Sequence, residues 1–295
     1  MAFSPLPQRT ILIGSRGMLA RAVQHVATRP LRVWSSADVD IRSAEAVERA
    51  FARDTPQLVI NCAAWTDVDG AEAHREEAFA LNATGPANLA TACAKAGARL
   101  IHVSTDYVFD GRKDTPWVET DPTGPLGVYG ESKLAGERQV AARCPDHVIA
   151  RTAWLYGPWS RRSFVDTMLK LTAERDSVDA VSDVRGSPTF SIDLALALLF
   201  LAGQPFRGIV HAVNSGWTTW HGFASLIVKE SGRPCTVRPV LQSAFPRPAR
   251  RPANSVLDTT KLESMGWPMR PWEQALHEYL ADFAGIRKPS GPPLV

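Results

Sequence analysis

The 295 residues predict an α/β protein, a doubly wound parallel sheet followed by a smaller mixed α/β lobe, on three observations. Short apolar, β-branched runs at 10–13, 31–34, 58–62, 100–104 and 148–151 alternate with stretches of helical periodicity, which is the pattern of parallel strands joined by helical crossovers. The first run leads directly into a glycine turn, G-S-R-G-M-L-A at 14–20, that opens a helix. Beyond residue 151 the alternation loosens, and helical stretches at 163–175, 192–201, 220–231 and 271–284 enclose short strands near 178–181 and 209–214. The first half therefore reads as Rossmann-like, with a lobe of different construction after it.

Gly14 permits the tight turn after the first strand. Gly17 lets backbone N–H groups approach a pyrophosphate at the positive end of the helix that runs through Val26. Ala20 stands where a third glycine often sits and is small enough for close helix–strand packing. An ordinary βα turn is the plain alternative, but the strand–turn–helix context favours a dinucleotide. After the second strand, where NAD-binding proteins often place an acidic residue, this chain has Ser35 and Ser36, with Arg16 inside the glycine turn. That set suits the extra 2′-phosphate of NADP, so NADPH is the expected cofactor and NADH the alternative. Asp40 reads either as an adenine-side contact or as the N-cap of a helix over 43–53. The third strand precedes A-A-W-T at 63–66, whose small residues leave room for a cofactor to lie flat.

A helical stretch over 72–81 leads to Asn82 and then to a longer helix through Ala96. The fourth strand delivers Thr105 and Asp106 to its C-terminal end, the edge at which open α/β sheets bind ligands. Tyr129 and Lys133 follow in Y-G-E-S-K, four residues apart and so on one helix face. A phenol ordinarily titrates near pKa ~10, and a neighbouring ammonium lowers that value. With Thr105 to hold a carbonyl oxygen, the three describe a ketone/alcohol site that receives a hydride. The Tyr–Lys spacing alone is weak, since most such pairs are helix surface. Trp117, in the Pro-, Gly- and Thr-rich loop 110–128, is expected to help cover the site. The stretch F-P-R-P-A-R-R-P-A-N-S-V-L-D at 245–258 is either a linker or an arginine-lined pocket for an anionic substrate, with Arg247, Arg250 and Arg251 as its candidates.

Composition narrows the classes. A net charge of +3 with scattered basic residues offers no stripe for nucleic acid. Four cysteines without C-x-x-C spacing and seven histidines without ligand spacing argue against zinc, a disulfide framework or another histidine-based metal site. The N-terminus lacks a signal-peptide pattern, and the longest apolar run, 194–202, is about half a membrane span. A soluble cytoplasmic protein is expected.

The motifs I-L-I-G-S-R-G-M-L, I-N-C-A-A-W-T-D-V-D-G-A-E, H-V-S-T-D-Y-V-F-D-G, the run from P-W-V-E-T-D to Y-G-E-S-K-L-A-G-E, R-T-A-W-L-Y-G and R-R-P-A-N-S-V-L-D occur in this order. By them the chain resembles the extended short-chain dehydrogenase/reductase superfamily, and within it the dTDP-4-dehydrorhamnose reductase family. The resemblance implies catalytic Thr105, Tyr129 and Lys133. It implies cofactor contacts at Gly14, Gly17, Met18, Leu19, Asp40, Ile41, Ala63, Ala64 and Thr66, beside Arg16 and Ser35 from the NADP argument, with Tyr129 and Lys133 touching the nicotinamide ribose. It also implies sugar-nucleotide contacts at Thr105, Asp106 and Trp154, to which Arg247, Arg250 and Arg251 are added as candidates for the diphosphate or for closing the substrate lobe, Arg251 foremost. The implied division is an NADP(H)-binding domain over 8–155 and a substrate lobe over 156–286, with some of its segments returning to the first domain and loose ends at 1–7 and 287–295. The implied reaction is reduction of a sugar C4 ketone, in a monomer or homodimer. Some members bridge a dimer through metal-binding Glu in the first helix; Ala20-Arg21-Ala22 stands there instead, so no metal ligand is assigned and Mg2+ stays open. Cys62 replaces a common Ala.

A sugar-nucleotide 4,6-dehydratase would follow the Thr with Asp-Glu, whereas Thr105-Asp106 is followed here by Tyr107. A 4-epimerase fits W-V-E-T-D and R-P-A-N-S less well than a reductase does. A reductase of another dTDP-4-keto-6-deoxy sugar and a non-catalytic NADP-binding regulatory subunit are the remaining alternatives; the intact Thr105, Tyr129 and Lys133 weigh against the second.

Overall fold

The computed structural model describes residues 6–160 and 163–284. The outer parts of the two end segments and the domain limit at 286 lie outside the described residues. Six strands form one parallel sheet in the order β10-β5-β4-β3-β1-β2. They are β1 (Thr10–Ile13), β2 (Arg32–Trp34), β3 (Leu58–Asn61), β4 (Arg99–Thr105), β5 (His147–Thr152) and β10 (Gly208–His211). Every residue of β1 and β3 is buried, as strands covered on both faces must be.

Helices α1 (Met18–Val26) and α8 (Ser191–Ala202) cover one face, where Leu19, Ala22 and Val23 share a core with Leu194, Leu198 and Leu201. Helices α2 (Ala44–Asp54), α5 (Gly85–Ala96) and α6 (Val128–Arg143) cover the other, with Val47, Phe51, Leu89 and Val140. The chain winds outward from β1 to β2, then resumes at β3 on the opposite side of β1. The crevice beyond the C-terminal ends of β1 and β3 is therefore the switch point where such sheets take ligands.

The later half holds β6 (Leu155–Tyr156) paired with β9 (Thr189–Phe190), β7 (Ser177–Val181) paired with β12 (Thr236–Val240), and β8 (Arg185–Gly186) paired with β11 (Thr218–Thr219). Helices α7 (Phe164–Glu174), α9 (Trp220–Ser231), α10 (Thr260–Ser264) and α11 (Trp272–Glu278) complete it. The short strand foreseen near 209–214 is β10, a full member of the main sheet, parallel to β5. Val165, Phe223, Trp272 and Tyr279 share a single core with Leu12 and Val23, so the two halves are fused at the sheet. Among the described residues no helix is long and apolar enough to cross a membrane.

Two helix expectations change in detail. The stretch 72–81 is two short helices, α3 (Gly70–Ala73) and α4 (Arg75–Phe79), broken at His74. A π-helical turn at Ala80–Thr84 then leads into α5. The N-cap of α2 is Ser43, whose hydroxyl accepts from the Ala46 amide. Asp40 is not the cap; it binds the Arg42 amide and guanidinium.

Candidate active site

At the start of α1, Gly14 sits at φ 90° and a Cβ there would come within 2.8 Å of the Ala63 nitrogen. The glycine is required both by the left-handed backbone and by this close approach of the β1 and β3 ends. Gly17 caps α1 with no side-chain hydrogen bond to the helix, so the first-turn amides are left for a ligand. Arg16 donates to the Ser36 hydroxyl at 2.8 Å. The Ser35 hydroxyl instead donates to Asp38 at 2.6 Å, so of the two serines read from the sequence it is Ser36 that Arg16 binds. Leu19 and Ile41 are buried, and Ile41 packs against the bare face of Gly85. Ala63, Ala64 and Thr66 line the loop after β3, where Asn61 Oδ1 accepts from the Ala63 amide. A glycine cradle, unclaimed amides and an arginine–serine pair fit a phosphorylated dinucleotide.

Thr105 closes β4 and Tyr129 and Lys133 lie in the first two turns of α6. Thr105 Oγ1 donates to Asp106 Oδ1 at 3.0 Å and accepts from the Tyr107 amide. Burial pushes the Tyr129 phenol up to about 12, with its hydrogen bond to Thr105 pulling the other way. Lys133 is almost completely buried and donates to the Val103 carbonyl at 2.7 Å, and burial lowers its ammonium to about 8. The expectation that Lys133 depresses Tyr129 is thus not met in this arrangement: desolvation dominates the phenol, and the ammonium is held by the main chain. Burial also raises the Asp106 carboxyl to about 6, and its Oδ2 has no hydrogen-bond partner among the described residues.

The π-helical turn supplies a residue that sequence reasoning passed over as a helix break. The fully buried Asn82 accepts from the Trp65 amide at 2.8 Å and donates to the Ser132 hydroxyl at 3.0 Å. Ser132 in turn donates to the Tyr129 carbonyl at 2.8 Å, so the loop after β3 and helix α6 are tied through one amide. Such bulges aim a side chain that a regular helix would turn away. Glu72 accepts from the Val128 amide at 2.9 Å and so caps α6 from another element.

On the opposite side, Trp154 holds φ 44°, unusual for a bulky residue, and stacks on Trp220 with centroids 3.4 Å apart and planes 8° from parallel. Its ring lies on Gly186, where a Cβ would meet it at 2.3 Å. Trp117 does not cover the site: it is buried, stacks on Phe109 and donates to the Asn254 carbonyl, pinning its loop to the 245–258 stretch. From residue 249 to 257 most of that stretch is buried and packed, while 245–248 and Arg250 stay exposed, so its later part is not a linker. Arg251 is committed to Asp69 through both terminal nitrogens at 2.7 Å, which removes it as a free anchor for a diphosphate. Arg250, beside Tyr107, Tyr129 and Glu72, lines a small cleft instead.

A doubly wound sheet with a glycine cradle at its switch point, and with Thr, Tyr and Lys gathered at the end of β4, defines the extended short-chain dehydrogenase/reductase type. The chain belongs to the family described as "RmlD substrate binding domain", whose sequence model matches residues 8–284. It is 45% identical over 284 residues to the dTDP-4-dehydrorhamnose reductase of Mycobacterium tuberculosis, covering 93% of each chain. It is 39% identical over 288 residues to a probable dTDP-4,6-dihydroxy-2-methyloxan-3-one 4-ketoreductase of Streptomyces antibioticus, covering 95% of this chain and 97% of that one. A crystal structure of the Bacillus anthracis dTDP-4-dehydrorhamnose reductase in complex with NADP superposes with a TM-score of 0.90 at 33% identity, covering 92% of this chain and 98% of that chain.

Proposed function

We propose that this protein reduces the C4 ketone of dTDP-4-dehydro-β-L-rhamnose to dTDP-L-rhamnose with a hydride from NADPH, and that Tyr129 donates the proton. The observation that carries the reading is the gathering of Thr105, Tyr129 and Lys133 at the end of β4 in a chain 45% identical to a dTDP-4-dehydrorhamnose reductase. Gly14, Gly17, Met18 and Leu19 hold the pyrophosphate, Arg16 and Ser36 the 2′-phosphate, and Asp40, Ile41, Ala63, Ala64 and Thr66 the rest of the dinucleotide. When bound, the nicotinamide supplies the hydride.

The chain's own part is proton supply and orientation. A phenol raised to about 12 keeps its proton at neutral pH, as a donor must. Thr105 orients the ketone oxygen, and Lys133, its ammonium charged below about 8 and set by the Val103 carbonyl, holds the nicotinamide ribose. Asp106 and Trp154 contact the sugar, and of the three candidate arginines Arg250, which lines the cleft, takes the diphosphate role. The substrate lobe within 156–286 excludes β10, a strand of the main sheet, and α8, which packs on that sheet. The protein acts in the cytoplasm as a monomer or homodimer.

NADPH oxidation dependent on dTDP-4-dehydro-L-rhamnose tests this. Tyr129→Phe should lower kcat by about 10³, in the range general acids contribute, and NADPH should outperform NADH. NADPH binding without turnover of any 4-keto sugar nucleotide would favour a regulatory subunit. The Streptomyces antibioticus relative motivates a second reading, reduction of another dTDP-4-keto-6-deoxy sugar, and a substrate panel in the same assay separates the two.

A further inference from the structure

On the reading that Tyr129 donates the proton, we propose that Tyr107 is a positioning residue for it, anchored by the Asp69–Arg251 ion pair. The Tyr107 ring meets the Tyr129 ring edge to face, with centroids 5.7 Å apart and planes at 77°, the geometry that aromatic quadrupoles favour. The Tyr107 carbonyl lies directly on the bare face of α6, where a Cβ on Gly130 would approach it to 2.3 Å. Ring and backbone of Tyr107 thus both bear on the turn that carries Tyr129.

The far end of Tyr107 is equally constrained. The Arg251 guanidinium stands close enough to its phenol to act on it electrostatically. Arg251 grips both oxygens of Asp69 at 2.7 Å and donates a further bond to the Ala249 carbonyl at 2.6 Å. A bidentate guanidinium–carboxylate pair fixes position and plane together, and the Arg251 side chain is only 15% exposed, so solvent competes little for it. The anchor runs from the loop after β3, through the 245–258 stretch, to the end of β4 and on to α6. Asp69 is shared by Arg251 and, at 3.9 Å, by Arg247, so it offsets only part of the positive charge on this side of Tyr129. The edge-to-face contact sets the Tyr107 ring against one side of the Tyr129 ring, where it limits the ring's movement toward the cleft.

The test uses the full chain and conservative variants. Tyr107→Phe keeps the ring and removes the hydroxyl; Arg251→Lys keeps the charge and removes the fork. Each should lower kcat about tenfold while the KM for NADPH stays within about twofold, because small misplacement of a reacting group costs rate and not cofactor affinity. The double variant should be no worse than either single one, since both cut the same link. The chain has four tyrosines, so 13C-labelled tyrosine NMR resolves Tyr129 against a Tyr129→Phe control, and its resonance should shift in Arg251→Lys without any substrate present. Folded variants with kcat within twofold of the parent and an unmoved Tyr129 resonance would overturn the proposal, as would strictly additive losses. If the parent turns over no keto sugar nucleotide, the reductase reading fails and the NMR comparison alone still decides the role of Tyr107. Should Arg251→Lys not fold, Tyr107→Phe carries the same comparison.

Discussion

At the end of the cleft proposed for the cofactor, Gly14, Arg16 and Gly17 occupy a single turn, and Arg16 finds Ser36 only 20 residues away. At the end proposed for the sugar, Arg251 reaches Asp69 across 182 residues, and Trp154 rests on Gly186 and Trp220, which belong to β8 and α9. The first region is a local device that any parallel sheet with the right turn can carry. The second exists only because the later half of the chain folds back onto the sheet. A change at the cofactor end should therefore act through backbone geometry, and one at the sugar end through packing between distant elements.

Between these two regions the larger effect is expected at the cofactor end. Gly14→Ala would place a Cβ 2.8 Å from the Ala63 nitrogen on a backbone at φ 90°. Strain of this kind costs on the order of 3 kcal/mol, or about a hundredfold in NADPH affinity. Fluorescence titration checks it; unchanged affinity would mean that the cradle is not built as described.

Asp106 lies between the two ends. Its folded-state pKa of about 6 exceeds the ordinary value near 4, so the folded protein binds this proton more tightly than the unfolded chain does. The stabilisation is present below about pH 4 and is lost as pH rises to about 6. Asp106→Asn should then be more stable than the parent by up to about 2–3 kcal/mol at pH 7, the gap closing below about pH 4. Denaturant unfolding at both pH values measures this, and a gap that widens on acidification would reverse the assignment.

The smallest effect belongs to the sugar end. Trp220→Leu removes the stack beneath Trp154, worth about 0.5–1.5 kcal/mol, and should raise the KM for the sugar nucleotide about two- to tenfold with the KM for NADPH unchanged. Equal changes in both constants would erase the distinction between the two regions.

Elements set by local pattern were legible in the residues: the alternating strands, the glycine turn, and the Tyr129–Lys133 spacing on α6. Strand and helix periodicity and the φ demanded of Gly14 depend on near neighbours, so composition and spacing carry them. Packing decided the rest. Sequence could not choose between Ser35 and Ser36, because Asp38 claims one of them only once the turn folds. It could not foresee that burial, more than Lys133, sets the Tyr129 phenol, since desolvation is a property of everything packed around a group. Nor could it show that Arg251 is spent on Asp69, that Asn82 spans two elements from a π-helical turn, or that β10 completes the sheet. Each of these depends on which distant residues meet, and chain order alone does not encode that meeting in any short-range signal.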